Sequence, residues 1–261
     1  MLAKLFAGVS FAFMCGLGYA APSATYTIGV EDLAYFPAYD YKSDGSNDSA
    51  SYAILQAFAK AESLTFNYVP LPVNRLFQDF LDQKVDFKFP DNPTWRKELK
   101  ADKAVVYSEA VFEYIDGTMV LPARKGQGMK NFKKIASVLG FTIWDYLSVI
   151  KSGAVKESNY PNFIELLRVG INGLVDGVYV NIAVADSYLA NKLNKPGALV
   201  FDPSLPYTLD SYKLSTIKHA ALLDKFNQFL KSHSSEIEAL KKTYKVAIDP
   251  AFLSKKAASK P

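Results

Sequence analysis

The sequence predicts an α/β protein folded as two halves, the second inserted into the first. Three observations predict it. Short β-rich runs alternate with amphipathic helical stretches, the pattern of βαβ units building a sheet covered by helices. The alternation restarts near residue 137, as a second sheet requires. It then closes on a β-rich run and two helical stretches, 212–216, 220–232 and 235–244, which bring the chain back to the first half.

Taken in order, residues 26–30 combine β-branched and aromatic side chains and read as a strand. Residues 52–63 read as a helix, with Ile54, Leu55, Phe58 and Ala59 on one face. Residues 64–69 form a second strand, and 73–83 a helix with Leu76, Phe77, Phe80 and Leu81 apolar. Strands follow at 85–89, 105–112 and 118–121. In the second half, 137–139 is a short strand ending at Gly140. Thr142 opens a helix, and Asp145 three positions on makes a start like a capping box. A helix at 162–170, a strand at 175–180, a helix at 182–192 and a strand at 198–201 complete that half. The crossings between halves are expected near 122–125 and 206–211, where loop and strand-end residues can act as hinges.

The amino terminus has the pattern of a secretory signal peptide. Lys4 supplies the charge, residues 5–17 are apolar, and Gly18-Tyr19-Ala20 offers small residues at a cleavage site. The apolar run of about 13 residues is short of the roughly 20 that a spanning helix needs. The sequence therefore divides into a signal peptide at 1–20, a first lobe at 21–121 plus 212–246, a second lobe at 122–211, and a C-terminal tail at 247–261. The expected location is the periplasm. Cleavage removes Cys15, the one cysteine, so thiol chemistry, disulfides and thiolate metal sites are excluded from the remainder. The net charge falls from +4 to +3, because Lys4 is the only charged residue lost. No basic face with stacking aromatics marks a nucleic-acid partner.

Several short segments, in order, resemble the bacterial extracellular solute-binding proteins of family 3, the receptors of polar amino-acid ABC importers. Ile28-Gly29-Val30-Glu31 followed by Tyr35-Phe36-Pro37 is similar to the family's strand, acidic residue and aromatic-proline turn. The stretch from Leu71-Pro72-Val73-Asn74-Arg75-Leu76 to Gln83-Lys84-Val85-Asp86 resembles its helix, turn and Asp-led strand. Thr94-Trp95-Arg96 resembles its T-x-x-R element, with one residue fewer between Thr and Arg. Val106-Tyr107-Ser108-Glu109-Ala110 and the segment from Asn172 to Asn181 resemble its next two segments. The resemblance spans 26–246 and implies the two-lobed type II periplasmic-binding-protein fold, with a ligand cleft between lobes joined by two crossings. It implies a receptor that captures a small polar, carboxylate-bearing, amino-acid-like solute by hinge closure. It implies a monomer without cofactor or metal, working with an inner-membrane permease or a membrane sensor.

The resemblance also assigns roles. Arg96 matches the arginine that pairs with the ligand carboxylate, a task suited to the planar guanidinium fork, and Arg75 is its competitor. Gly140-Phe141-Thr142 matches a turn whose N–H groups and hydroxyl hold an anion. Tyr35 and Phe36 stand where the family stacks an aromatic on the ligand. Glu31 lies at the carboxyl end of its strand, where open α/β sheets bind ligands, and can receive a cationic group. Lys88 is a charge inside an apolar strand and points either to solvent or to the cleft. Asn181 falls where the family has an aspartate for the ligand's α-ammonium. Either the ligand lacks that ammonium or another acid supplies the charge, with Glu31, Asp91, Glu113 and Asp145 as candidates.

Catalysis is not expected. The two histidines, His219 and His233, fall in the late helical region, and no catalytic motif accompanies them. A dehydratase on the same fold is the enzymatic alternative, and a sensory binding protein is the other.

Overall fold

The computed structural model describes residues 23–249 and Phe252. The expected signal peptide and most of the expected tail lie outside the described residues. Among those described, no helix is long and apolar enough to cross a membrane.

The first half opens with β1 (Ala24–Glu31), α1 (Ala50–Ala61), β2 (Leu64–Leu71), α2 (Val73–Leu81), β3 (Phe87–Asp91) and α3 (Lys97–Lys100). β1 lies between β2 and β3 and pairs with both in parallel. α1 begins where the Ser49 hydroxyl accepts the Tyr52 N–H, and it buries Ile54, Leu55, Phe58 and Ala59, the face read from the sequence. After β4 (Val106–Tyr107) the chain enters β5 (Phe112–Val120).

The second half holds β6 (Lys134–Val138), α4 (Leu147–Lys151), β7 (Lys156–Tyr160), α5 (Phe163–Ile171), β8 (Gly177–Asn181), α6 (Ile182–Asn191) and β9 (Val200–Phe201). β6 runs parallel to β7 and to β8. β10 (Tyr207–Thr216) then returns, followed by α7 (Ala220–Ser232) and α8 (Ser234–Thr243).

β10 ties the halves together. Its carboxyl end pairs with β3 and β4, and its amino end, from Tyr207 to Tyr212, pairs antiparallel with β5. The strand order is β2-β1-β3-β10-β5-β8-β6-β7, with β4 on β10 and β9 on β5. The ladder with β3 shifts register between Lys213 and Ser215, where β10 passes from one set of strands to the other.

Several local expectations change. The strands expected at 105–112 and 118–121 are instead a two-residue β4 and one long β5 running through Asp116-Gly117. Gly117 is no turn: Phe201 of β9 lies on it, and a Cβ there would come within 2.5 Å of that ring. Residues 156–160 form a strand that the polar sequence concealed. β10 begins at Tyr207, not at Tyr212. Thr142 opens no helix. A 3-10 turn at Trp144–Tyr146 leads into the five-residue α4, and Asp145 serves other partners. Pro122–Arg124 is a 3-10 turn that follows β5, and β5 itself is the strand lying beside β10.

Candidate functional site

The carboxyl ends of β1, β6 and β8 converge between the halves, where sheets of this kind bind ligands. β1 delivers Glu31, the turn after β6 delivers Phe141, and β8 delivers Asn181. β5 and β10 run behind them. Residues opposite each other on a ladder share a face, so one face carries Thr208, Asp210 and Tyr212, opposite Asp116, Tyr114 and Phe112. Asn181 and Tyr179 extend that face across β8.

Aromatic rings fill the centre. Tyr35 stacks on Tyr39 at 4.6 Å and meets Phe163 edge-on at 5.6 Å, with Phe141 at 6.3 Å. Tyr114 stacks on Tyr212 at 4.3 Å, and Trp95 lies 6.1 Å from Tyr212. The Tyr35 hydroxyl interacts with that of Tyr212. The Tyr188 hydroxyl of α6 donates to the Ala34 carbonyl at 3.0 Å, a bond between the halves.

The polar groups at this junction are mostly acidic. Glu31 is buried and accepts the Tyr39 hydroxyl at 2.7 Å; burial raises its pKa, and Lys88 and Tyr39 oppose the rise. Asp116 is partly buried and accepts from the Asn181 amide at 3.2 Å. Burial, then the charges of Asp145 and Asp210, push the Asp116 carboxyl up to about 7 against the pull of that amide. Asp145 accepts from the hydroxyls of Tyr179 and Thr208. Among the described residues, no lysine or arginine forms an ion pair with Asp116, Asp145 or Asp210.

The structure brings Glu31, Tyr35 and Asn181 together and places the other expected residues apart from them. Phe36 turns to Tyr244 at the end of α8, with ring centroids 6.3 Å apart. Arg75 is exposed and bound to Asp79 one helical turn on, at 2.8 Å. Arg96 is exposed and has a left-handed backbone, φ 47°; its guanidinium donates to Asn74 at 2.6 Å beside Gln78, Leu99 and Lys103. Thr142 is exposed. Lys88 faces neither solvent nor an open cleft. It is fully buried, 4.2 Å from the Phe77 ring centroid and 3.5 Å from Asp91, and it donates to the Pro90 carbonyl.

Asn181 has a structural task as well. Its Oδ1 caps α6 by accepting the N–H groups of Ala183 and Val184, while its amide donates to Asp116 and to the Tyr212 hydroxyl. The acid beside it is thus Asp116, which was absent from the sequence candidates. Of those candidates, Asp91 is consumed by Lys88, Lys100 and Ser215, and Glu113 by Lys241. The signal for Asp116 was present as an acid in a largely apolar run, hidden by the turn-like Asp-Gly pair. The histidines lie elsewhere: His219 bonds Asp86 at 3.0 Å, and His233 stacks on Phe229.

No family model matches the chain, and no curated protein matches it. Solved structures do. A histidine kinase sensor domain with similarity to periplasmic binding proteins aligns with TM-score 0.67 and 16% identity, over 87% of this chain and 99% of that one. An ancestral arginine-binding protein bound to arginine aligns with TM-score 0.63 and 20% identity, over 85% of this chain and 98% of that one. The ancestral amino acid-binding protein AncCDT-1, a precursor of cyclohexadienyl dehydratase, aligns with TM-score 0.61 and 19% identity, over 85% and 95%. The chain therefore has the two-lobed type II periplasmic-binding-protein fold, the fold the sequence resemblance implied.

Proposed function

We propose that the chain is a periplasmic receptor that holds a small polar, amino-acid-like solute between its lobes and delivers it to an ABC importer. The lobes are 21–121 plus 212–246 and 122–211, and they close about the paired strands β5 and β10. The observation that supports this reading best is the shared face of those strands. It sets carboxylates and tyrosines where three strand ends converge between the halves. Asp116 would make good the charge that Asn181 lacks once the solute's ammonium, arriving beside it, draws off its proton. The solute's carboxylate would fall to Arg96, which lies outside this face and would have to leave Asn74 and swing inwards on binding, with Thr142 opposite. The sensor-domain neighbour favours a second reading, in which the same closure reports to a membrane kinase. A dehydratase on the same fold is the enzymatic alternative; neither histidine reaches the cleft, so its acid or base would have to be a carboxylate such as Asp116.

The test is a thermal-shift and calorimetric screen of the protein, without residues 1–20, against amino acids, organic acids, polyamines and small peptides. A solute at about 100 times its Kd adds roughly 2.7 kcal/mol, a rise of about 5–10 °C at this size. Arg96→Ala abolishes the shift for a carboxylate-bearing hit, and Asp116→Asn weakens binding of an ammonium-bearing one. A hit indifferent to both substitutions would remove the cleft anchors proposed here.

A further inference from the structure

The geometry points to Tyr35 as the built-in occupant of a ring subsite in the cleft, so that the solute which displaces it carries an aromatic ring with a polar end. This deepens the receptor reading and rests on it. Tyr35 sits in a loop whose neighbours Asp32 and Ala34 are exposed, yet it is itself only 4% exposed. Its ring lies where the two halves meet, with contacts to both. Tyr39 forms one wall, Phe163 and Phe141 form the others, and the Tyr212 hydroxyl meets the phenol end. The slot lies at the convergence of β1, β6 and β8, the place where a ligand is expected. An ordinary core ring packs within one half; this one bridges two bodies joined by hinge strands.

The chemistry of the occupant defines that of its competitor. A ligand shifts an equilibrium only by its differential affinity for the two states. A solute entering this slot must replace a stacked contact, two further ring contacts and a hydroxyl partner. A planar ring with a polar substituent supplies them all. An aliphatic solute of equal size supplies none of the ring contacts.

The probe is 4-methylphenol, the tyrosine side chain as a free molecule. It is titrated calorimetrically into the wild type, Tyr35→Ala and Tyr188→Phe, with small-angle scattering on each. Tyr35→Ala is expected to scatter as a more open molecule and to compact when the probe is added. It should bind the probe at least about ten-fold more tightly than the wild type, in which Tyr35 competes for the slot. Cyclohexylmethanol, matched in size, should compact nothing. Tyr188→Phe keeps every ring and removes only the bond to the Ala34 carbonyl, so its affinity should fall between the other two. Equal affinity in wild type and Tyr35→Ala overturns the proposal. So does probe binding to Tyr35→Ala without compaction, which is the behaviour of a simple core cavity. If Tyr35→Ala does not fold, Tyr188→Phe decides: an affinity equal to wild type is the overturning result. A failed amino-acid screen leaves this outcome unaffected, because the probe and the scattering require no natural solute.

Discussion

Asp116 and Asp86 titrate in opposite directions from the ordinary aspartate value, and the signs give separable predictions. Asp116 sits near 7, above the ordinary 3.8, through burial and then Asp145 and Asp210. The folded chain therefore keeps a proton that the unfolded chain releases, and this group's contribution to stability is whole below about pH 4 and is lost as pH rises towards 7. For Asp86, burial alone would raise the value, but the Lys218 ammonium, the Thr27 N–H and His219 hold it down to about 2. Its contribution is present above about pH 4 and is lost as pH falls towards 2, up to about 2 kcal/mol. Melting curves from pH 2 to pH 8 should show the neutral slope flattened in Asp116→Asn and the acid slope flattened in Asp86→Asn. Asp91 is a third case. Lys88, Lys100 and Ser215 all depend on it, so Asp91→Ala takes from two buried ammonium groups the carboxylate they share. Urea unfolding should report a loss of about 3–5 kcal/mol.

At the scale of elements, Asn181 joins two tasks that can be pulled apart. A carboxylate at this position still caps α6. It also faces Asp116, whose Oδ1 lies 3.2 Å from the present amide nitrogen. Asn181→Asp should therefore match the wild type near pH 5, where the pair shares a proton, and be less stable by about 1–3 kcal/mol at pH 8. Thermal melts at the two values check it. How legible the elements were depends on whether local sequence decides them. α1 was readable because its buried face repeats at helical spacing. β5 was not, because Asp-Gly is a turn signal and nothing nearby announces that Phe201 will cover the glycine. The Thr142–Asp145 spacing misled for a related reason: Asp145 is claimed by Tyr179 and Thr208, residues from distant strands. Period-two reasoning put Lys88 on the correct side of β3, but could not show that Phe77 of α2 covers that side. Arg96 was found by its place in a motif, whereas the Asn74 side chain that holds its guanidinium comes from α2, 22 residues earlier, and no motif encodes that contact.

The whole molecule was the most legible level, since the order of strands and helices already required two α/β halves with a return. Less legible was how firmly the halves meet. Most of the buried apolar residues of each half form one connected cluster, in which Tyr35 and Phe163 meet across the junction. The two halves are therefore expected to melt in a single calorimetric transition, and Tyr35→Ala should broaden or split it. A wild-type trace with two resolved transitions would count against that coupling. The return of β10 also fixes the order in which the protein can be completed during synthesis. Phe87 and Lys88 of β3 pair with β1 on one side, but on the other they find Thr216 and Ser215 only after the entire second half has been made. The half that leaves the ribosome first is thus the one finished last. Until residue 216 is available its open strand edge stays exposed, which makes it the segment most in need of protection in a newly made chain.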